Sequence, residues 1–375
     1  MNLRSLALVN FRNYNNAKIE FSVRINLVYG QNAQGKTNFL EAIYLLCLGR
    51  SFRGAKNQDL LKHDAQFFTV QGGLIQDNEI EKRVVLRYVK DGKKEISVDR
   101  KRIRSHARIF GQFPVVVMAP DEFKITAGGP SERRRFLDVL LSQVSLSYLS
   151  DLQEYTRVLK QRNKILHDIR QGFNMSEATI VPWTERLVSI GTRIISFRNH
   201  FISDFSKMLN GVYRRFSKDG NRLEVSMESS VFAGDDDSVE QAFLSALERS
   251  SGKERVLGMT VVGPHRDDVA FTIDGEDLRK YGSRGEHKSV LFSIKIAEFN
   301  YLKEKTQETP ILLLDDCYSE LDDYREKSIF DTLEGVGQIF LTSPKGESLL
   351  ESSRWMNSET STFCVENGDI EHVTA

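Results

Sequence analysis

Three cysteines in 375 residues, Cys47, Cys317 and Cys364, stand far apart, with no CxxC pair and no histidine at ligand spacing. That pattern excludes a disulfide scaffold and a zinc site and leaves ordinary reduced thiols. No run approaches the ~18 apolar residues of a membrane span. The opening MNLRSLALVNFRNY has neither a long apolar run nor a small-residue cleavage site. The expectation is a soluble cytoplasmic protein with no membrane partner. An excess of charge is also missing, since Lys+Arg and Asp+Glu both total 52. A nucleic-acid protein is often basic overall, so the balance argues against a large permanent electrostatic footprint and allows only a local or assembled one. What is present is enough apolar material, 40% of residues, for a sizeable core. The length suggests two or three domains.

The stretch NLVYGQNAQGKTNFLEAIYLL carries a phosphate-binding loop, G-x-x-x-x-G-K-[ST], over Gly30, Gln31, Asn32, Ala33, Gln34, Gly35, Lys36 and Thr37. Its flanks are the required ones. Upstream, Ile19, Phe21, Val23 and Ile25 alternate and lead into Leu27-Val28-Tyr29, which reads as one or two strands ending at Gly30. Downstream, Thr37 to Leu46 reads as a buried helix. Glycines let backbone N–H groups turn toward phosphate oxygens at the helix N-terminus. Lys36 is expected to reach the β- and γ-phosphates of ATP, and the Thr37 hydroxyl to ligate Mg²⁺.

A metal-binding carboxylate is expected with such a loop, and TPILLLDDCYSELDD supplies one. Ile311–Leu314 is an unbroken aliphatic run, as a buried parallel strand should be. Asp315 ends it and is the expected Mg²⁺ ligand. Asp316 follows at the strand's carboxyl end, where ligands sit in open α/β sheets, and is the expected catalytic group that orients or deprotonates the attacking water. The loop and this pair lie near opposite ends of the chain. The spacing therefore predicts one head assembled from both ends, with an insertion between.

The insertion reads as helical. Leu149, Leu152, Tyr155, Leu159, Arg162, Leu166 and Ile169 follow 3-4 spacing, and so do Leu187, Ile190, Ile194, Phe197, Phe201, Phe205 and Met208 beyond the break QGFNMSEATIVP. Two such helices predict an antiparallel hairpin. Arg133, Arg134 and Arg135 open a further helix and cannot share one face. Both a salt-bridged helix start and a contact to DNA or a lever between subdomains fit them. VDRKRIRSHARIF reads as a charge-protected edge hairpin, with a DNA contact as the alternative.

Lys280–Lys303 holds the last chemistry. Ser283, Arg284, Gly285 and Glu286 precede a strong apolar helix, and small polar residues at a helix N-terminus make an anion site. The head already has its own phosphate loop. This second site is expected to meet the γ-phosphate held by another copy, in a two-fold dimer that sandwiches ATP.

The order of these motifs resembles ABC-type ATPases, and within them the SMC-like ATPases of DNA recombination and repair. The resemblance covers nearly the whole chain through LVNFRNY, GQNAQGKTNFLEAIYLL, GRSFR, PSERRRFLD, VGPHRDD, GSRGEHKSV and LLLDDCYSELD. It implies an α/β fold: an ABC-type head over residues 1–125 and 250–375, with an inserted helical lid or short antiparallel coiled-coil-like domain over 126–249. Arg12 and Asn13 would line the nucleotide. Ser283, Arg284, Gly285 and Glu286 would be the signature acting on the partner's ATP, and Ser319, Glu320, Leu321 and Asp322 the D-loop at the dimer interface. Arg50, Arg53, Arg133, Arg134 and Arg135 are the candidate DNA contacts. The role of His265 stays open between a motif function and a satisfied structural histidine.

The resemblance further implies an ATP-dependent homodimer on DNA at gaps or junctions, recombination mediators and RecA as partners, and weak DNA-stimulated hydrolysis that releases the clamp. Two departures from the wider class matter: Asp316 stands where Glu is usual, the shorter base suiting slow hydrolysis, and Glu286 where Gln is common. Thr342 also stands where many such heads carry a switch histidine. The alternative is an ABC-type subunit driving another DNA-remodelling or transport partner. A scaffold that binds ATP without turning it over, and a nuclease subunit, are further readings; the Asp315-Asp316 pair argues against the first, and no nuclease cluster supports the second.

Overall fold

The computed structural model describes residues 1–103, 108–173, 177–217, 220–232, 238–316, 332–333, 335–344 and 360–373. They divide into two units, Met1–Phe123 with Leu291–Ala375, and Lys124–Val290.

In the first unit, β1 (Asn2–Phe11), β2 (Tyr14–Glu20) and β3 (Ile25–Tyr29) lead into α1 (Lys36–Leu48). After α1 come β4 (Phe67–Ile75), β5 (Glu81–Val89), β6 (Glu95–Val98), β7 (Lys101–Arg102) and β8 (Val115–Met118). An antiparallel sheet has the order β2-β1-β4-β5-β6-β7. In β4 buried and half-buried residues alternate strictly, as one covered face requires. β6 and β7 are joined by Asp99-Arg100, both with positive φ (50° and 65°), the geometry a two-residue hairpin turn needs. Lys101 and Arg102 thus form an exposed, charged edge, as read from the sequence.

The second unit holds α2 (Lys124–Ala127), α3 (Pro130–Val144), α4 (Leu146–Arg170), α5 (Glu177–Tyr213), β9 (Leu223–Glu228), α6 (Val239–Leu257), β10 (Asp268–Ile273), β11 (Glu276–Asp277) and α7 (Leu278–Tyr281). The α4–α5 pair is antiparallel: Arg193 pairs with Asp151 while Arg186 pairs with Glu154. The unit runs to Val290, past the expected boundary at 249, because α6 packs on α4 and α5, and β9 and β10 pack on α5 and α3. Helix α5 begins at Glu177, within the stretch read as a break, with Pro182 inside it.

Helix α8 (Arg284–Thr306) begins in the second unit and continues in the first, where β12 (Ile311–Leu314), β13 (Ile339–Ser343), β14 (Thr360–Glu366) and β15 (Asp369–Val373) complete the fold. These strands join β3 and β8 in a second sheet of order β15-β14-β3-β13-β12-β8, parallel throughout except for β15. Every residue of β8, β12 and β13 is buried. Helix α1 touches β8 and β13 of this sheet and β1, β4 and β5 of the other, so it is apolar on nearly all sides. Gly72 permits that closeness, because a Cβ there would lie 2.2 Å from a Leu46 methyl. No helix of the described residues is long and apolar enough to cross a membrane.

Candidate nucleotide site

β3 delivers the chain to the loop, and α1 opens where it closes. Gly30 (φ +152°) and Gly35 (φ +122°) adopt backbone that L side chains rarely reach. A Cβ on Gly30 would lie 2.3 Å from the Val365 carbonyl oxygen, and one on Gly35 would lie 2.5 Å from Asn13 Nδ2. Lys36 Nζ donates to the carbonyls of Gly30 (2.8 Å) and Gln31 (3.0 Å), so the ammonium lies folded inside the loop. Two flanking turns brace the curve. Asn13 Nδ2 donates to the Gln34 carbonyl (2.7 Å), its Oδ1 accepts from Asn38 (2.9 Å), and Tyr14 donates to the Gly35 carbonyl (3.0 Å). From the β14–β15 turn, Asn367 N–H donates to Gln34 Oε1 (2.6 Å). Gln31, Asn32 and Ala33 stay exposed, with Ala33 in the left-handed region.

Asp315 meets the loop from β12. Thr37 Oγ1 donates to its carboxylate at 2.9 and 3.1 Å, although 278 positions separate the two. Thr342, on the intervening strand β13, donates to Asp315 Oδ1 at 2.8 Å and accepts from the Asp316 N–H at 3.0 Å. Burial pushes the Asp315 carboxyl above its ordinary range, against the pull of those two hydroxyls. A buried carboxylate touching a hydroxyl at the mouth of a phosphate loop is a hard oxygen pair that fits Mg²⁺, which keeps most of its shell for water and phosphate. Asp316 is half-buried, with left-handed backbone (φ +46°). Among the described residues there is no cluster of three or more metal-ligating side chains.

Arg12 reaches α1. Its guanidinium forks onto Glu41 at 2.8 and 2.9 Å and donates to the Asp59 carbonyl at 2.7 Å. Glu41 is fully buried and also accepts from Ser51. The sequence reading missed Glu41; a lone acid inside an otherwise apolar helix was the available signal. Arg53 is exposed and donates to Asn38 at 3.3 Å, and Arg50 is half-buried.

At the signature, Ser283 caps α8. Its N–H and hydroxyl both donate to Glu286 Oε2 (2.8 and 2.7 Å), and its Oγ accepts the Glu286 N–H (3.2 Å). This is a capping box, with Ser283 and Arg284 exposed. The expected D-loop, Ser319, Glu320, Leu321 and Asp322, lies outside the described residues.

The arginines of α3 separate. Arg133 is 3% exposed and forks onto Asp268 at 2.7 and 2.8 Å, with a further bond to the Gly128 carbonyl. It is a strut holding α3 to β10, which corrects its place among the DNA contacts. Arg134 is half-buried and donates to the Asp267 carbonyl at 2.6 Å. Arg135 is exposed. The motif VGPHRDD is the other half of this framework. Asp267 accepts from Ser229 and from the Ser230 N–H, and the Pro264 carbonyl accepts from the buried Arg198. Both His265 nitrogens are engaged, Nδ1 with the Tyr155 hydroxyl (2.8 Å) and Nε2 with the Thr260 carbonyl (3.2 Å). Burial pushes its pKa down to about 4, so the ring is neutral and structural.

A buried ion triad in the head was not legible either. Lys295 contacts Glu122 at 2.5 Å and Glu298 at 3.0 Å. Burial pushes Glu298 up to about 7 even beside that ammonium. Every residue of α8 from Leu291 to Phe299 is buried, so these charges had to find one another.

The sequence signature of the RecF/RecN/SMC N-terminal domain family matches residues 2–366. The DNA replication and repair protein RecF of Ruminiclostridium cellulolyticum is 35% identical over 373 residues, covering 99% of each chain. RecF of Lachnoclostridium phytofermentans is 37% identical over 340 residues, 90% of this chain and 92% of its own. A solved recombination mediator protein, RecF-ATP of the RecFOR pathway, superposes with a TM-score of 0.90 at 33% identity, covering 100% of this chain and 98% of that one. The Smc head domain of Pyrococcus furiosus, at 16% identity and a TM-score of 0.55, shares the fold. The chain belongs to the RecF family.

Proposed function

We propose that this chain is an ATP-gated DNA-repair clamp. Two copies close on DNA with ATP held between them, and hydrolysis reopens them. The observation that carries the reading is the meeting of Lys36, Thr37 and Asp315 at the carboxyl ends of β3 and β12, with Thr342 fixing Asp315 from between. In this reading Lys36 turns from the loop carbonyls to the β- and γ-phosphates. Thr37 and Asp315 hold Mg²⁺, which when bound offsets the charge on the phosphate oxygens. Asp316 takes a proton from the attacking water. Its side chain is one methylene shorter than the Glu usual in this class, which suits slow, regulatory turnover. Arg12, clamped to Glu41, keeps the β1–β2 turn on the loop; Asn13 does the same from its Gln34 bond.

The signature is read as acting on the partner's ATP. The exposed start of α8 supports this, because Ser283 and Arg284 face solvent at a helix N-terminus, although the capping box already occupies the N–H groups of Ser283 and Glu286. A net charge of zero fits a DNA groove that exists only when two copies close. The RecF structures are described as recombination mediators, so the corresponding role here is to help load RecA at single-strand gaps together with mediator proteins.

The test is the light-scattering mass of the pure protein with and without ATP and Mg²⁺, beside Lys36→Met and Ser283→Arg variants. A dimer that forms only with ATP and is lost in both variants supports the clamp. A monomer under all conditions leaves Ser283 as a helix cap and rejects the sandwich.

A further inference from the structure

One end of the second unit gathers several exposed apolar side chains beside arginines. Arg162 marks a level through three helices. It donates to Thr184 of α5 (3.0 Å), to Glu254 of α6 (2.7 Å) and to Thr260 beyond α6 (2.7 Å). Beyond that level α4 and α6 run outward together. Arg170 donates to the Leu257 carbonyl at 3.3 Å, and Gly258 closes α6 so tightly that a Cβ would sit 3.0 Å from Arg170 Cδ. The same end carries Phe173 just past α4 and Val181 in the first turns of α5.

Large apolar side chains face solvent there. Val256 is 73% exposed, Leu257 40%, Met259 41%, Phe173 64% and Val181 46%. Five such residues at one end of a helical unit mark an interaction surface, whereas scattered ones would not. Charge says what kind. Among the described residues Arg170 bonds only the Leu257 carbonyl, and Arg266 only Met259 Sδ (3.2 Å) and the Thr260 carbonyl (3.1 Å). Among the described residues neither guanidinium has a carboxylate at ion-pair distance. Other arginines of the unit do fork onto acids, Arg133 on Asp268 and Arg193 on Asp151. Lys253 adds positive charge on the exposed side of α6.

We infer that this end of the helical unit docks an acidic, amphipathic helical segment of a partner protein. The segment's leucine-type side chains cover Val256, Leu257 and Met259, and its carboxylates fork onto Arg170 and Arg266. A phosphate backbone would satisfy the arginines but would leave the apolar residues in water, so DNA is the less suited occupant. The inference is independent of nucleotide binding.

The experiment uses the full-length chain and fluorescence anisotropy of three probes: a helical peptide with a leucine face and a Glu/Asp face, the same peptide with Lys in place of the acids, and a short DNA duplex. Variants Arg170→Glu and Val256→Asp are compared with the parent, with melting temperature as the folding control. Expected is binding of the acidic peptide, weakened at least tenfold in each folded variant, with no comparable binding of the basic peptide. Val256→Asp changes an exposed side chain and keeps the test valid if Arg170→Glu fails to fold. Equal binding of the two peptides, or none of the acidic one, overturns the proposal. So does DNA binding that competes with the peptide and falls in the same variants, which would mark a nucleic-acid surface.

Discussion

The Thr342 hydroxyl donates to Asp315 Oδ1 at 2.8 Å from the neighbouring parallel strand, and Thr37 approaches the same carboxylate at 2.9 Å from the phosphate loop. One side chain on β13 thus aims the acid on β12 at the loop after β3. Thr342 is 1% exposed, so its hydroxyl has no solvent alternative.

Thr342→Val keeps the shape and removes that bond. A hydrogen bond to a charged group contributes about 1.5–3 kcal/mol, so ATP turnover should fall roughly 10- to 100-fold. ATP affinity, set mainly by the loop, should change little. Thr342→Ser should restore most of the turnover. Equilibrium nucleotide binding and steady-state phosphate release distinguish the two effects, and an unchanged rate in the valine variant would remove Thr342 from the site.

Arg133 and Arg135 are two residues apart yet should behave oppositely. Arg133→Ala strands the Asp268 carboxylate and the carbonyls of Ile125 and Gly128, and breaking a buried pair costs about 3–5 kcal/mol. Its melting temperature should drop by several degrees with or without DNA. Arg135 is exposed, so Arg135→Ala should shift stability by no more than about 0.5 kcal/mol and act, if at all, on ATP-dependent DNA affinity. Chemical denaturation alongside DNA binding separates them.

His265 gives the second unit a sensitivity to acid. Burial pushes its pKa from 6.5 to about 4, ahead of the unfavourable charges of Arg266, Arg134 and Arg162, while the bond to Thr260 pulls the other way. Between those values the unfolded chain binds more protons than the native one. The stability is therefore complete above pH 6.5 and is lost as pH falls toward 4, by about 3 kcal/mol in all. His265→Gln cannot take up that proton. Urea midpoints at pH 7.5 and 5 should show a smaller acid loss in the glutamine variant; equal losses would sink the assignment.

Motifs whose chemistry is local were legible in the sequence. Gly30–Thr37 needs its glycines within one turn, and Asp315 ends a run of four aliphatics, so both could be placed before any fold was known. Partners distant along the chain were not. Nothing near Arg133 says that Asp268 waits on β10, and a triple arginine reads equally well as a solvated helix start or a phosphate contact. Arg162 fitted an apolar stripe by spacing alone; it is buried there because Glu254 meets it from α6. Nothing in the local sequence says that Lys295 and Glu298 are buried, as the packing of the head makes them. The extension of the helical unit beyond 249 to Val290 has the same cause, since α6 and β10 join it only through packing.

Glu286 is the residue whose replacement should strengthen the proposed clamp. Its carboxylate is held by the Ser283 N–H and hydroxyl at 2.8 and 2.7 Å, which keeps the cap formed but leaves a negative charge in the first turn of α8. A carboxylate there favours the helix, through the macrodipole, and opposes a second anion such as a partner's γ-phosphate. Glu286→Gln keeps an amide oxygen for the Ser283 N–H and removes the like charge. The ATP-dependent dimer should then form at several-fold lower protein concentration, with little change in melting temperature without nucleotide. The mass of the protein across a dilution series with ATP and Mg²⁺ measures this. A weaker dimer would mean that the Glu286 charge is used in the interface, and that the signature meets its partner through a cation instead of through phosphate.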